Sequence, residues 1–457
     1  MSQQAETPGE TDVVVDLIQD TTFGEIPTDV IDHGKRAIRD YLGVAIYGAH
    51  HDVGDRIVSF VQSQYGGTES TILGHGTSSA AGAALANGTF GHAIDFDDTF
   101  ESIVIHPTSP VFAASLATAE QTSATGEEVL TGYVIGCEVA FRIGHSTYPD
   151  HYKNGWHATG TVGSFGAVAA AASILGLDSD QTARALGITA SGSSSLKKNF
   201  GSMTKPLHAG AAAQTGVRAA LLAQSGFTAD PHILEGANGY GEVMTPNGTY
   251  DPTEITEGRG EWAVADIGFK PHPSGVITHA AMDALRTVVI DNDLDPEDVD
   301  SVTVTLDDAA SEMLIHANPE NALQAKFSIE FCLAAILRER RAGIHEFTDE
   351  YVTRPEVKTT IGKVERAFEP QLFDTEYAGY GARVIVETAS GDQLTNEVRF
   401  APGSPNNPLS EERLYAKFEE CAETVLDESA IEQLATAIDT LEEPGSIDAL
   451  QAAVRLS

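Results

Sequence analysis

The sequence predicts a mainly α-helical protein with an α+β second domain: a large, discontinuous all-helical domain plus a smaller α+β lid domain. Three observations support this fold class. Through about residue 234, apolar side chains recur at three- and four-residue spacing, which is typical of helices. Valine and threonine alternate over residues 299–306, as they do in strands. Helical periodicity returns after residues 401–408, a linker that contains three prolines.

The first part of the chain is predicted as a series of helices, many of them rich in alanine. They cover residues 29–47, 78–94, 109–122, 127–143, 162–175, 179–190 and 209–224. Because small side chains let helices approach closely, several are expected to be buried on most sides. Residues 192–198 and 236–248 predict loops from their glycine, serine and asparagine content, and residues 1–11 are expected to be disordered.

The pattern changes near residue 267. The second part is predicted to contain a helix over residues 279–291, a strand over 299–306, a helix over 322–341, and strands over 382–388 and 393–400 that form a hairpin. Helices are predicted again over residues 410–425, 430–440 and 446–456. We therefore expect a helical domain made of residues 1–268 and 402–457, and an α+β lid domain made of residues 269–401.

The chain is strongly acidic. It has 67 acidic and 27 basic residues, a net charge of −40, and only ten lysines. This charge argues against binding to nucleic acids or to an anionic membrane surface. Many acidic residues and few lysines are typical of proteins from salt-loving organisms. At about 1 M salt, the repulsion between carboxylates is screened beyond roughly 3 Å, so such a charge can be tolerated.

The melting temperature is therefore expected to rise between dilute buffer and molar KCl, because salt screens the repulsion among the excess carboxylates. Thermal unfolding at several KCl concentrations measures this directly. A melting temperature that does not change would contradict the halophilic interpretation.

The cysteines and the N-terminus limit the class of protein. Cys137, Cys332 and Cys421 lie far apart and form no C-x-x-C pair, which disfavours a disulfide framework, a zinc knuckle and an iron–sulfur cluster. We expect no cofactor and no bound metal.

The polar N-terminus does not resemble a signal peptide, and the weakly polar run over residues 162–177 is short for a bilayer span. The expected localisation is cytoplasmic.

Two of the ten lysines lie in glycine- and proline-rich junctions and are candidate ligands for an anion. Residues 201–210 read GSMTKPLHAG and place Lys205 and His208 just before a predicted helix, whose N-terminal N–H groups favour anions. Lys270 lies at the predicted domain boundary, where ligand sites are common, and His279 follows it. For either lysine alone, a surface turn is the simpler interpretation.

Two further histidines are candidate acid/base groups. His106 precedes a proline and a predicted helix. His157, in the run Gly-Trp-His, precedes a helix rich in glycine and alanine, and a helix N-terminus favours the neutral imidazole. For His157 alone, a capping or core role explains the pattern equally well.

Three carboxylates, Asp95, Asp97 and Asp98, crowd the end of the predicted helix over residues 78–94. They could bind Mg²⁺ or Ca²⁺, orient a histidine such as His106, or be solvated acids. Together, the lysines and histidines indicate a site for a di- or tricarboxylate. Fixed cations would stabilise the charge that develops when a proton next to a carboxylate is removed.

At these motifs the sequence resembles the MmgE/PrpD family, which includes 2-methylcitrate dehydratase, cis-aconitate decarboxylase and an iminodisuccinate epimerase. The resemblance runs from about residue 17 to at least residue 336. Its motifs are the NG-x-x-x-H-x-x-DFDD run ending at Asp98, His106-Pro, Gly155-Trp-His157, residues 201–210, Leu234-Glu-Gly236, Lys270-Pro-His-Pro with His279, and Ala325-Lys-Phe-Ser328. It implies a large helical domain, a smaller α+β lid and a homodimer.

The resemblance also implies a set of site residues. Matches to pocket residues of the cis-aconitate decarboxylase branch are Asp95, Thr99, His106, His157, Lys205 and Lys270. One of the two histidines would be the catalytic base and the other the acid, the lysines would bind carboxylates, and Asp95 would orient a histidine. Thr99, His208 and His279 would complete the substrate site.

Two departures weaken the similarity to the decarboxylase branch. That branch has a histidine five residues after the second lysine, where this chain has Gly275. The segment between Thr99 and His106 is also one residue longer here.

The leading hypothesis is a cofactor-free hydro-lyase acting on a small di- or tricarboxylate such as 2-methylcitrate by proton abstraction next to a carboxylate. A cis-aconitate-type decarboxylase and an epimerase of an amino-dicarboxylate are alternatives. A non-catalytic carboxylate-binding protein on the same fold, and a metal-dependent enzyme that uses the three aspartates, also remain open.

Overall fold

A computed structural model of the protein describes residues 9–308, 313–370, 372–373 and 380–455. Residues 1–8, most of the segment expected to be disordered, lie outside the described residues, whereas residues 10 and 11 already belong to the first helix. The helices before the domain boundary are α1 (Glu10–Asp20), α2 (Thr28–Ala49), α3 (Asp52–Gln64), α4 (Ala80–Gly91), α5 (Thr108–Thr122), α6 (Gly126–Thr147), α7 (Asp150–Lys153), α8 (Ala158–Leu175), α9 (Ser179–Gly192), α10 (Thr204–Gln224), α11 (Tyr240–Met244) and α12 (Thr253–Thr256). Two short strands, β1 (Ser70–Ile72) and β2 (Gly76–Ser78), pair antiparallel between α3 and α4.

The remaining elements form the lid domain and the returning helices. The lid contains α13 (His279–Asp291), β3 (Val299–Asp307), α14 (Ala322–Ala325), α15 (Ile329–Glu339), α16 (Asp349–Val352), α17 (Pro355–Ile361), β4 (Val364–Glu369), β5 (Ala382–Thr388) and β6 (Gln393–Val398). The returning helices are α18 (Glu411–Ala422), α19 (Glu428–Asp439) and α20 (Ser446–Val454).

Helix α8 lies inside the helical domain and packs on α5, α6 and α10. Its 18 residues have a mean hydropathy of 1.5, long and apolar enough for a membrane span, but 89% of them are buried inside the protein, as in a core helix. Small residues allow this packing. A Cβ atom added to Gly136 of α6 would lie 2.6 Å from the backbone oxygen of Gly166 in α8, so only glycine permits this approach.

The lid domain is a four-stranded sheet in the order β4-β3-β5-β6, with α13 and α15 packed against it. Strand β3 runs parallel to β4 and antiparallel to β5, and β5 and β6 form the predicted hairpin. Val302, Val304 and Leu306 of β3 are fully buried and belong to the core shared with the helices, since alternate residues share one face. The predicted fold class, mainly helical with an α+β part, is confirmed.

Two large apolar cores divide the described residues. One contains side chains from residues 14–269 together with residues 414–454, and the other contains side chains from residues 276–401. Helix α18 packs along α2. The C-terminal helices therefore return to the first core, and the lid is an insertion between its two parts.

Two predicted elements differ from the structure near the site. Helix α10 begins at Thr204 and not at residue 209, so Lys205 and His208 lie in its first turns. Pro206 is tolerated there because the first N–H groups of a helix have no intrahelical acceptor. The predicted helix over 322–341 is interrupted after α14, because the Ser328 hydroxyl caps α15 by accepting from the backbone N–H of Phe331 at 3.2 Å.

Candidate active site

The candidate site is built around the Asp95 loop, residues 92–98, which follows α4. Its carboxylates, Asp95, Asp97 and Asp98, are each exposed by 3% or less. Asp95 has φ +59°, in the left-handed region that aspartate enters more readily than most residues. Each of the three acids meets a different set of partners.

Asp95 lies between two lysines. Lys205 Nζ donates to its Oδ2 at 2.7 Å, while Lys270 Nζ donates to its Oδ1 and, at 3.0 Å, to its backbone oxygen. Burial alone would raise the pKa of Asp95, but the two ammonium charges outweigh it and hold that pKa well below its usual range. Asp95 is therefore ionised. The family resemblance implied that its partner would be a histidine, whereas its hydrogen-bond partners in the structure are the two lysines.

The two lysines keep donors for a ligand. Each ammonium has three N–H groups. Lys205 uses one and Lys270 uses two on Asp95, so three of the six are not used in the described hydrogen bonds. Burial lowers the pKa of Lys205, and the charge of Asp95 opposes that change. The two ammonium groups carry two positive charges but are directly paired with only one carboxylate, Asp95. The remaining positive charge would attract an anionic ligand.

Asp97 is the acid that contacts a histidine. Both of its oxygens lie 2.9 Å from His92 Nδ1, and Ser109 Oγ donates to it at 2.7 Å. Asp98 instead accepts from the hydroxyl and the backbone N–H of Thr108, and burial raises the pKa of Asp98 well above its usual range. The three aspartates thus do not converge on one point, as the alternative of a metal held by all three would need.

One group of possible metal ligands occurs among the described residues: atoms of His92, Asp97 and His106 lie within 4.8 Å of one another. His92 Nδ1 donates to Asp97, and His106 Nδ1 donates to the backbone oxygen of Asp98 at 2.7 Å. A cation bound at these nitrogens would have to displace both protons. The arrangement therefore favours hydrogen bonding over coordination.

His106 is arranged as a proton acceptor. Because its Nδ1–H donates to the Asp98 backbone oxygen, the lone pair is on Nε2. Burial lowers the pKa of His106 well below its usual range, and the charge of Lys270 lowers it further. A neutral imidazole with an unprotonated Nε2 can accept a proton from a bound ligand.

His157 and His208 form an imidazole pair. Their Nδ1 atoms are 3.0 Å apart, so one of them donates to the other. Burial lowers the pKa of His157 well below its usual range and that of His208 to about 4, so both rings are neutral near pH 7. When His208 donates, His157 carries its proton on Nε2 and can donate it in a hydrogen bond to a bound ligand. The contact therefore couples the tautomers of the two rings.

Five of the groups described above, Asp95, His106, His157, Lys205 and Lys270, line a pocket between the helical domain and the lid. Its walls are formed by Asp95, Val104, His106, Tyr152, His157, Phe200, Lys205, Lys270, Gly275, Val276, Ile277, Met313 and Phe327. Protein atoms leave about 400 Å³ there, including the open mouth. The Lys205 ammonium lies 5.3 Å from the ring centre of Phe200 and 5.2 Å from that of Phe327, within cation–π range. Charged groups inside apolar walls suit a small ligand with several carboxylates.

The structure brings the predicted catalytic residues together in one pocket wall, which does not include the predicted substrate-binding residues. Asp95, His106, His157, Lys205 and Lys270 all line the pocket. His208 contacts the pocket through His157. Thr99 and His279 are not in the described pocket wall: the backbone of Thr99 pairs with Gly268, and the buried ring of His279 packs 5.6 Å from His272.

Two buried residues near the site had no predicted role. The ring of His92 lies 4.7 Å from that of His106 and 5.7 Å from that of His157. Lys326 Nζ donates to the backbone oxygen of Ala93 at 3.2 Å, and burial lowers the pKa of Lys326 to about 7. Both residues could have been identified from the sequence. His92 lies in the NG-x-x-x-H motif and Lys326 lies in the Ala-Lys-Phe-Ser motif.

Two family models match most of this chain. Residues 13–253 match the model of the MmgE/PrpD N-terminal domain, and residues 272–443 match that of the MmgE/PrpD C-terminal domain. The second match extends past the lid and includes α18 and α19, although these helices belong to the first apolar core. The C-terminal boundary of the family model therefore differs from the boundary between the two cores.

Curated relatives cover nearly the whole chain. Cis-aconitate decarboxylase of Mus musculus is 27% identical over 446 residues, 93% of this chain and 89% of that protein. The Homo sapiens enzyme is 27% identical over 92% of this chain and 89% of that protein. The Aspergillus terreus enzyme is 27% identical over 90% of this chain and 88% of that protein.

Proposed function

This chain belongs to the MmgE/PrpD family, and from that membership we propose that it is a lyase of the dehydratase/decarboxylase type, in particular a cofactor-free hydro-lyase for a small tricarboxylate such as 2-methylcitrate. One observation carries the proposal. Lys205 and Lys270, both bound to Asp95, face the same pocket as the imidazoles of His106 and His157.

The proposed reaction begins with removal of a proton from the carbon next to a carboxylate. His106 Nε2 takes this proton, and the electron pair of the broken C–H bond forms the new C=C bond. Lys205 and Lys270 donate N–H groups to substrate carboxylates, where negative charge increases in the transition state. Because the site is buried, these ammonium groups stabilise that charge more than water would.

The second half of the reaction is loss of the hydroxyl group. His157 donates a hydrogen bond from Nε2 to the leaving oxygen, and the proton that His106 took is passed to that oxygen, so that the C–O bond breaks and water departs. His208 supports this role when its Nδ1–H is donated to His157 Nδ1, 3.0 Å away, because the His157 proton is then on Nε2. Turnover ends when water leaves and both imidazoles are neutral again.

A decarboxylase is the second candidate, because the relatives named above, which match nearly the whole chain, are cis-aconitate decarboxylases. That reaction also needs cations for carboxylates and an imidazole that transfers a proton to carbon.

Gly275 favours the hydro-lyase. It lines the pocket at the position where the decarboxylase branch has a histidine, and it leaves room there for a bulkier substrate.

Replacing Gly275 by histidine is expected to reduce dehydration at least about tenfold and to increase CO₂ release from cis-aconitate, because an imidazole would fill the pocket wall and add a proton donor. Backbone strain is not expected, since Gly275 has φ −57° and an added Cβ meets no atom closer than 3.6 Å. Gly275→Ala is the matched control and should keep nearly full dehydration. Equal losses in both variants would contradict this specificity role.

A panel of di- and tricarboxylates tests the proposed function. Each compound is incubated with the protein in molar KCl and followed by proton NMR. The proposal predicts an unsaturated product from 2-methylcitrate. Release of CO₂ from cis-aconitate as the main reaction would instead identify a decarboxylase, and α-proton exchange without a new product would identify an epimerase.

A further inference from the structure

Four of the ten lysines bind three residues of the Asp95 loop, Ala93, Asp95 and Phe96. Three of them donate to backbone oxygens: Lys326 to Ala93 at 3.2 Å, Lys270 to Asp95 at 3.0 Å and Lys417 to Phe96 at 2.6 Å. The fourth, Lys205, donates to the Asp95 carboxylate. Because the chain has so few lysines, the presence of four of them at this loop indicates that the loop has to keep one conformation.

Lys417, like Lys326 and unlike Lys205 and Lys270, is outside the pocket wall. It comes from α18, beyond the lid, and is only 6% exposed. Its ammonium lies 2.7 Å from Asp40 Oδ1 of α2 and 4.1 Å from the ring centre of Phe96. Thus Lys417 binds the loop without lining the pocket.

The contact at Phe96 fixes the peptide bond between Phe96 and Asp97, one residue beyond Asp95. Because Asp95 has φ +59°, a conformation that non-glycine residues adopt only when the surroundings hold them there, the loop needs restraint next to this residue. Lys270 supplies it at the Asp95 backbone oxygen and Lys417 at the next one. Together these two contacts aim the Asp95 carboxylate at both pocket lysines.

Stability alone is a poor explanation for the pair of Lys417 and Asp40. A buried ion pair can often be replaced by apolar side chains of similar size with little loss of stability, because the desolvation cost of the charges disappears as well. What apolar side chains cannot replace is the N–H donor to the backbone oxygen of Phe96.

We propose that Lys417 is a positioning residue of the active site, holding the Asp95 loop in the conformation that aligns Lys205 and Lys270. This inference rests on the proposed function, since it assigns Lys417 to the same reaction. It connects a C-terminal helix, far from the pocket in sequence, to the geometry of the catalytic lysines.

The test compares Lys417→Met and the double variant Asp40→Leu/Lys417→Met with Lys35→Met. Lys35 is a matched control. It is also a buried lysine that donates to a backbone oxygen, that of Asp439 at 2.9 Å, and it pairs with the Glu442 carboxylate at 2.5 Å, away from the pocket. Lys417→Arg keeps a charged donor and serves as the conservative variant.

Both Lys417→Met variants are expected to lose about 100-fold in kcat with KM changed less than about threefold, since small misplacement of catalytic groups has effects of this size. Lys35→Met should keep its kcat, and Lys417→Arg should recover part of the loss. Hydrogen exchange of the peptide that covers residues 92–98 should be faster in both Lys417→Met variants and unchanged in Lys35→Met.

An unchanged kcat in either soluble Lys417→Met variant would overturn the proposal. Failure of both to fold would assign Lys417 to stability alone and would overturn it equally. If the wild-type protein converts none of the carboxylates in the panel, the proposed function fails, but the hydrogen exchange of residues 92–98 still decides whether Lys417 restrains the loop.

Discussion

Replacing Asp95 by asparagine is expected to abolish measurable turnover and to lower the free energy of unfolding by about 3–5 kcal/mol, the usual cost of removing one partner from a buried ion pair. The carboxylate lies between the ammonium groups of Lys205 and Lys270, all three buried. Without its charge, the two cations would repel each other. They would separate or lose a proton, and neither change leaves them placed to bind a substrate carboxylate.

Chemical denaturation and steady-state kinetics in molar KCl measure the two effects of Asp95→Asn. Asp52→Asn is the matched control, because the Asp52 side chain is 71% exposed and its pair with Arg56 is long, at 3.9 Å. We expect the control to change stability by less than about 0.5 kcal/mol. An Asp95→Asn protein with wild-type stability and turnover would show that the two buried lysines need no counter-charge.

Replacing His106 by glutamine is expected to lower kcat by about 10²–10⁴-fold, the usual contribution of a general base, with little change in KM. Glutamine can still donate to the Asp98 backbone oxygen, so the loop should keep its conformation. What it lacks is a nitrogen able to accept a proton. His232→Gln, at an exposed histidine, is the control for loss of an imidazole elsewhere.

The pH dependence gives an independent check on His106. A base acts in its neutral form, so activity falls as pH decreases through the pKa of that base. Because burial and Lys270 hold the pKa of His106 well below its ordinary value of 6.5, the wild-type acid limb of kcat/KM should lie below pH 6.5. A His106→Gln variant with wild-type kcat and an unchanged acid limb would assign the base to another group.

The sequence allowed the residues of the site to be identified but not most of their contacts. Asp95, Lys205 and Lys270 each belong to a recognisable motif, and all three line one pocket. Which atoms they bind depends on how distant segments pack. The expectation that Asp95 orients a histidine failed in the structure because the left-handed backbone at Asp95 turns it toward the lysines, while Asp97 meets His92.

The bounds of some elements that carry site residues were not predicted correctly. Helix α10 was expected to begin at residue 209, but it begins at Thr204, because proline is tolerated in the first turn of a helix. The break between α14 and α15 at Lys326 is produced by a single serine cap. Lys417 reaches Phe96 from 321 positions away, a contact that local periodicity cannot indicate.

The proposed reaction can be tested directly by following 2-methylcitrate in D₂O with molar KCl, in the presence of the wild-type protein or of Lys205→Met. Loss of the proton on the methyl-bearing carbon would change the methyl signal from a doublet to a singlet in the proton NMR spectrum. This change, with formation of an unsaturated tricarboxylate, is expected for the wild type and not for folded Lys205→Met. Equal conversion by both proteins, or no reaction and no exchange by a folded wild type, would contradict it.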